Sequence, residues 1–333
     1  MQQAGLGYRV PRQHQQFEFS PDAEPVLRVP SGSRITLETL DCFSNQLTAP
    51  GQRYAREADL LELIGAYNPV TGPVYVEGAE PGDVLAVAFE EITLGTAAPF
   101  AATLTFGSGS AYVSAECPGL PPAGDTKICP IQAGPAGPEV IFPAAGGDLR
   151  LPARPMVGTV GTAPAAGPVP SLGYAPGHGG NFDCPLVTAG SVLCLPVNVP
   201  GALLSLGDVH ALMGDAEITG TALETSGDVT VTVTVRPAGA RPLALPHLDT
   251  PALIGVVGCR PGAGVQANLE AAMLELHARL TGDYGLAAAD AYQLLGATAR
   301  VLVNQCVAPP AWAAVHVGVP RAILAAAAAS PAA

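Results

Sequence analysis

The sequence predicts an α+β fold, predominantly β, with its helices concentrated in the C-terminal part. Three observations carry this. Short segments that alternate apolar and polar residues, the period of a half-buried strand, recur between residues 25 and 236. The 39 glycines and 34 prolines among 333 residues punctuate those segments as turns. A helical apolar period becomes clear only late, where Leu269, Ala272, Met273, Leu276 and Leu280 share one face. These changes of character divide the chain into a β-rich module over 1–160, a second β module over 161–240 and an α+β part over 241–333.

Residues 25–29 and 34–39 read as strands around the turn Pro30-Ser31-Gly32-Ser33. Residues 56–64 read as a short helix. Residues 73–77 and 83–90 read as strands around Glu80-Pro81-Gly82, and 128–143 as two more around a glycine turn. The stretch 95–124 is rich in small residues and has no assignable period. Residues 149–155 read as an edge strand, because their prolines cannot donate to a ladder. A Pro/Gly loop over 164–176 leads to His178. Strands are expected at 190–199, 216–225 and, most clearly, 228–236, where valine and threonine alternate. Helices follow at 265–280 and 286–295, then a strand or helix at 299–305 and a frayed alanine-rich helix or tail after Leu324. Pro73-Val-x-Val-x-Gly-Ala, then Gly82-Asp83, is echoed by Pro196-Val-x-Val-x-Gly-Ala, then Gly207-Asp208, so the two β modules read as duplicates.

Composition narrows the function. The net charge is −13 and the fifteen basic residues are scattered, so nothing offers the clustered cations that nucleic acid or an anionic membrane needs. No uncharged apolar run is long enough to span a bilayer. The first sixteen residues lack the apolar core of a signal peptide. The seven cysteines form no Cys-x-x-Cys pair and their number is odd, which fits free thiols in a reducing cytoplasm.

Against a charged content of 13%, residues 177–217 gather two of the six histidines, three aspartates and a glutamate. Imidazole and carboxylate are the donors a divalent cation such as zinc prefers. His178-Gly-Gly-Asn181-Phe-Asp183 alone is as well explained by a glycine turn whose Asn and Asp cap backbone groups. Asp208-Val-His210 is stronger, because an i, i+2 pair in extended chain shares one face. Its plain alternative is an aspartate fixing a histidine tautomer. Asp215 and Glu217 also share a face, and one of them suits a general base beside a cation. Asp41 ends a strand and by itself reads as a turn former. Glu77 is either a site carboxylate or the polar side of an edge. Phe106-Gly107-Ser108-Gly109 has only half of a nucleophile elbow, and no phosphate loop or dinucleotide fingerprint is present. Cys184 and Cys306 are weak candidates as nucleophiles, since cysteine in such a chain is usually buried. His247 and His316 read as structural, and His277 as a helix-surface residue.

Taken in order, these motifs resemble the acetamidase/formamidase family. The resemblance rests on His178 to Asp183, Leu195 to Glu217 and Val76 to Asp83. It is supported by Thr39 to Phe43, Gly72-Pro73, Thr126-Lys127 and Arg154 to Gly158, and it runs from about residue 20 to residue 305. It implies a β-sandwich-like body, a homodimer, and hydrolysis of a small linear amide. It also implies a cation, zinc, with calcium beside it or in its place. Carried over by position, Asp41, His178, Asp183, Asp208 and His210 are the candidate metal ligands, and Glu77 and Glu217 the candidate bases. The chain departs from the family at Gly177 (usually Asp), Phe182 (Met) and Ala216 (Gly), and over 95–119 and 243–252. These changes are expected around the substrate pocket and point to a larger or cyclic amide. The competing expectations are an altered reaction on the same fold, such as deformylation, lactam opening or condensation, or a structural metal in a non-catalytic protein.

Overall fold

A computed structural model describes residues 7–54, 57–105, 124–237, 242–308 and 312–328. Most of the unassigned stretch 95–124, with Ser108, Ser110 and Cys117, lies outside the described residues, as do Arg56 and Ser330.

The chain is predominantly β, and two large sheets dominate it. The first has the strand order Tyr8–Val10, Ser33–Glu38, Gly227–Arg236, Val84–Leu94, Val192–Pro196, His247–Asp249, Leu253–Gly258, Trp312–Pro320, Arg300–Ala308. The second runs from the edge strand Leu149–Pro152 through Gly137–Phe142, Gly124–Gly134, Phe100–Thr105, Leu223–Thr225, Leu204–Leu212 and Met156–Gly161 to Gly179–Asn181 and Tyr174–Ala175. Val70–Glu77 joins it beside Leu204–Leu212. The valines of Gly227–Arg236 show why a sandwich forms. Val229, Val231 and Val233 are fully buried and pack in one core with Val74, Val76, Val157, Val160, Leu204 and Leu206 from the other sheet. Strands of the stretches 1–160 and 161–240 interleave in both sheets and share that core.

The two echoed segments lie against each other. Val76 N–H donates to Gly201 O and Gly201 N–H to Ala79 O, while Gly82 N–H donates to Val197 O and Val197 N–H to Asp83 O.

A second core forms where the helices Val265–Gly282 and Ala288–Thr298 cover the strands Leu253–Gly258 and Trp312–Pro320. The expected helix face is the buried one: Ala272, Leu276 and Leu280 are fully enclosed, with Leu269 and Met273 at its margin. Residues 299–305 settle as strand, within Arg300–Ala308. The stretch 216–225 does not form one long strand. Ala216 and Glu217 have φ of 70° and 45°, left-handed backbone that turns the chain, so Ala216 makes only an isolated bridge to Gln305 and the strand is confined to Leu223–Thr225.

Candidate metal centre and active site

Six chain segments meet at one cavity of about 260 Å³, lined by Cys42, Asp183, Asp208, Glu217, Glu224 and Gln305, with Asp41 adjoining Cys42 and His210 two residues beyond Asp208 in sequence. Asp41 and Cys42 sit in the turn after Ser33–Glu38. Asp183 follows the strand Gly179–Asn181. Asp208 and His210 lie on Leu204–Leu212, Glu217 in the turn after it, and Glu224 on Leu223–Thr225, directly across from His210. Gln305 comes from Arg300–Ala308. Among them Asp41, Asp183, Asp208, Glu217 and Glu224 are carboxylates, and all are buried.

The pairing expected of Asp208 and His210 is present. His210 Nε2 lies 3.3 Å from Asp208 Oδ1. It also lies 3.0 Å from Glu224 Oε2, an ion-pair contact. Asp208 Oδ2 accepts from Asn68 Nδ2 at 2.9 Å and from Thr159 Oγ1 at 3.1 Å. Asn181 Nδ2 donates to Asp183 Oδ2 at 2.9 Å, and Asn68 Nδ2 reaches Asn181 Oδ1 at 3.0 Å. Asp41 is held differently: its Oδ1 accepts the backbone N–H groups of Phe43 and Asn45, at 3.0 and 2.6 Å. It is the cap of its own turn, and its charge is felt by the cluster rather than aimed into it.

The electrostatics are those of an anionic hole. Burial pushes Glu217 up to about 8, opposed by His210 and reinforced by Glu224 and Asp208. Burial likewise raises Asp41 to about 7 and Asp183 well above the carboxylate range. Glu224 is raised by burial, against the pull of His210. Burial opposes charging of His210, yet Glu224 and Asp208 outweigh it and raise its pKa.

Four features fit this donor set to a divalent cation. Asp183 Oδ1 and His210 Nδ1 are buried without a hydrogen-bond partner, and Glu224 Oε2 has only its ion-pair contact with His210. Ligand atoms of Asp183, His210 and Glu217 lie within 4.8 Å of one another, as do those of Cys42, Asp208 and Glu224. Gly158 makes the room, since a Cβ there would collide with Asp183 Oδ1 and Asp208 Oδ2. Finally, Asp183, Asp208 and Glu217 all hold left-handed backbones, with φ of 45°, 59° and 45°. Such strain persists where surrounding structure imposes it, typically at functional sites.

Two expected residues are elsewhere. His178 lines a separate cavity of about 660 Å³ with Gly177, Tyr174 and Asn198. Its ring meets Phe19 edge-on at 5.6 Å, and burial lowers its pKa to about 4. The left-handed glycines Gly179 and Gly180 carry the chain from there to Asn181, so the motif delivers Asp183 but not its histidine to the acids. Glu77 is exposed at the end of Val70–Glu77, opposite Pro30. It is the polar side of an edge.

The departures at Gly177, Phe182 and Ala216 also do not gather at the acidic cavity. Gly177 lines the other cavity, and Phe182 is fully buried in the inter-sheet core. Ala216 adjoins Glu217 and carries a Cβ on a left-handed backbone. Asp215 is exposed. Cys184 is enclosed in the core, where burial raises its thiol to about 12, which removes it as a nucleophile. His247 pairs with Glu275 at 2.9 Å and His316 is buried near Leu248 O, both structural.

Residue-by-residue reading of the sequence passed over Glu224, Asn68, Thr159 and Gln305. Glu224 sits in a short Leu-Glu-Thr strand with no motif around it. Its signal was a lone acid at a position expected to be strand.

Among the described residues no helix is long and apolar enough to cross a membrane. A solved acetamidase from Bacillus halodurans is 30% identical and superposes with a TM-score of 0.83, covering 96% of this chain and 99% of that one. A solved predicted acetamidase/formamidase from Thermoanaerobacter tengcongensis is 29% identical, with a TM-score of 0.82, covering 98% and 99%. A Schizosaccharomyces pombe protein provisionally named a formamidase is 24% identical over 283 residues, 68% of this chain. That match spans 65% of the relative, under two thirds of its length. The sequence matches the Acetamidase/Formamidase family over residues 9–169 and 158–326, and the chain belongs to that family.

Proposed function

We propose that this protein is a metal-dependent amidase that hydrolyses a small linear amide to a carboxylic acid and ammonia. The single observation that carries this is the gathering of buried carboxylates around one cavity, with the His210 imidazole and orphaned ligand atoms beside them. Family membership supplies the reaction class.

Asp183, His210, Asp208 and Glu224 would hold the cation, with Glu217 beside them. Zinc is the proposed ion. The observed set contains one histidine and several carboxylates, a balance that also suits calcium. When bound, such a cation polarises a carbonyl oxygen and lowers the pKa of water.

The chain's own groups do the rest. Asn68 and Thr159 hold Asp208, and Asn181 holds Asp183, so the acids are fixed before substrate arrives. The Glu217 carboxyl lies within 4.8 Å of the ligand atoms of Asp183 and His210, close enough to exchange a proton with water held there. It accepts the proton of the attacking water as the C–O bond forms. It then delivers that proton to the leaving nitrogen as the C–N bond breaks. Burial of the cluster excludes bulk water from both transfers. A homodimer in the cytoplasm completes the proposal. It is supported by the family resemblance and by the free thiols Cys42, Cys129, Cys184, Cys194, Cys259 and Cys306, and light scattering on the purified protein tests the dimer.

The deciding experiment measures ammonia release from formamide, acetamide and larger amides, with and without chelator, alongside metal content. Chelator-sensitive release restored by zinc or calcium is the expected result. A metal-loaded protein silent on every amide overturns the proposal.

A further inference from the structure

Gln305 is fully enclosed, yet it meets the acidic cavity. Its strand Arg300–Ala308 pairs with Trp312–Pro320, and the register slips between Val303 and Gln305. Val303 faces Val315 and Gln305 faces Ala314, so Asn304 is the extra residue of a bulge. Bulges of this kind re-aim the following side chain. Here the chain on either side is clamped to the turn that carries Glu217: Ala216 N–H donates to Val303 O, and Cys306 N–H donates to Ala216 O, both at 2.8 Å.

The amide of Gln305 has a fixed orientation. Its Nε2 donates to the backbone carbonyl of Asn181 at 2.7 Å. Turning the group over would set two carbonyl oxygens against each other, so the other atom must be Oε1. Oε1 has no partner among the described residues. A buried, orphaned carbonyl is a costly thing to maintain unless something donates to it. The amide and hydroxyl donors nearby on the cavity wall are committed elsewhere: Asn68 Nδ2 to Asp208 and Asn181, Asn181 Nδ2 to Asp183, and Thr221 Oγ1 to Leu104 O. A substrate N–H entering the cavity would supply the donor that Oε1 lacks.

We propose that Gln305 is a specificity-determining residue that accepts a hydrogen bond from the N–H of the substrate amide, on the nitrogen that will leave. This rests on the amidase reading above. It makes the site selective for a carbonyl bearing N–H over an ester of the same acyl group. Discrimination by an unmet polar group is strong, because the ligand that lacks the donor leaves the acceptor buried and unpaired.

The test uses the full-length, metal-loaded protein and the variants Gln305→Met and Gln305→Glu. Propionamide and methyl propionate are compared through kcat/KM. If the ester binds without turnover, its inhibition constant against amide hydrolysis serves instead. In Gln305→Met the preference for amide over ester falls at least about tenfold, mainly through a higher KM for the amide, the size expected for one hydrogen bond. Gln305→Glu keeps an acceptor oxygen for the substrate and, with its other oxygen protonated toward Asn181 O, retains more of the preference. The wild-type protein gives an independent reading that no folding defect can spoil. The second methyl group of N,N-dimethylpropionamide should cost at least about tenfold more than the first of N-methylpropionamide, since it removes the last N–H. Parallel loss on amide and ester in Gln305→Met, or equal costs for the two methyl groups, overturns the proposal while leaving the amidase reading intact. A wild type with no amide hydrolysis at all sinks both.

Discussion

Glu217 and its neighbours make a pH prediction whose sign can be worked out group by group. Burial raises Glu217 from 4.5 to about 8 and Asp41 from 3.8 to about 7. A carboxyl whose folded pKa is raised contributes stability that is fully present below its unfolded value and is lost as pH rises through the folded one. Each unit is worth about 1.4 kcal/mol. His210, also raised, acts in the same direction. His178 and His316, lowered by burial to about 4, act oppositely, but their effect is complete above pH 6.5. Chelator-treated protein should therefore show a melting temperature that falls from pH 6.5 to 8.5. Bound cation, which favours the ionised acids, should flatten that slope. A flat profile under chelator would show that the acids are not held as a strained anionic cluster. At this scale the sequence was half legible. The Asp-x-His spacing correctly placed Asp208 and His210 together, because a strand period is a local property. Glu224 and Gln305 join the same cavity only through pairing with distant strands, and no local pattern marks that.

The elements that carry the site differ in how plainly they announce themselves. Gly227–Arg236 alternates because one face is buried between sheets and the other is not. Met156–Gly161 is buried on both faces, so its sequence shows no alternation, although its Gly158 leaves room for Asp183 and Asp208 and its Thr159 donates to Asp208. The helical layer was readable in period, but its tie to the sheet was not. Arg279 on Val265–Gly282 makes a two-point pair with Asp249, Nη1 to Oδ1 at 2.7 Å and Nη2 to Oδ2 at 2.8 Å. Burial opposes ionisation of Asp249, yet Arg279 outweighs it and holds the pKa below the usual value. Removing one partner strands a buried charge, so Asp249→Ala should destabilise the protein by about 3–5 kcal/mol. Because this pair lies where the helical layer meets the first sheet and lines no part of the acidic cavity, kcat/KM of the folded variant should match the wild type. Denaturant titration and steady-state kinetics on one preparation check both parts. A loss of catalysis in fully folded Asp249→Ala would mean that the layer helps to set the cavity.

For the whole molecule, the composition-based boundary at residue 160 meets a topology that crosses it repeatedly. Val84–Leu94 has Gly227–Arg236 on one side and Val192–Pro196 on the other, and both partners come from beyond residue 160. Val70–Glu77 likewise pairs with Leu204–Leu212, which brings Asp208 and His210. Even the echoed segments, the best sign of duplication, bond to each other rather than each closing its own module. A fragment of residues 1–160 would leave Val84–Leu94 with both edges unpaired and would open the core that Val74, Val76, Leu85 and Val87 share with Val229, Val231 and Val233. Unpaired strand edges over exposed apolar surface aggregate rather than fold. The fragment should therefore be insoluble or lack a cooperative melt, whereas co-expression with residues 161–333 should recover soluble protein containing both pieces. A fragment 1–160 that melts cooperatively on its own would show that the sheets are built from separable halves. In that case the acidic cavity would be a junction between domains, not the centre of one.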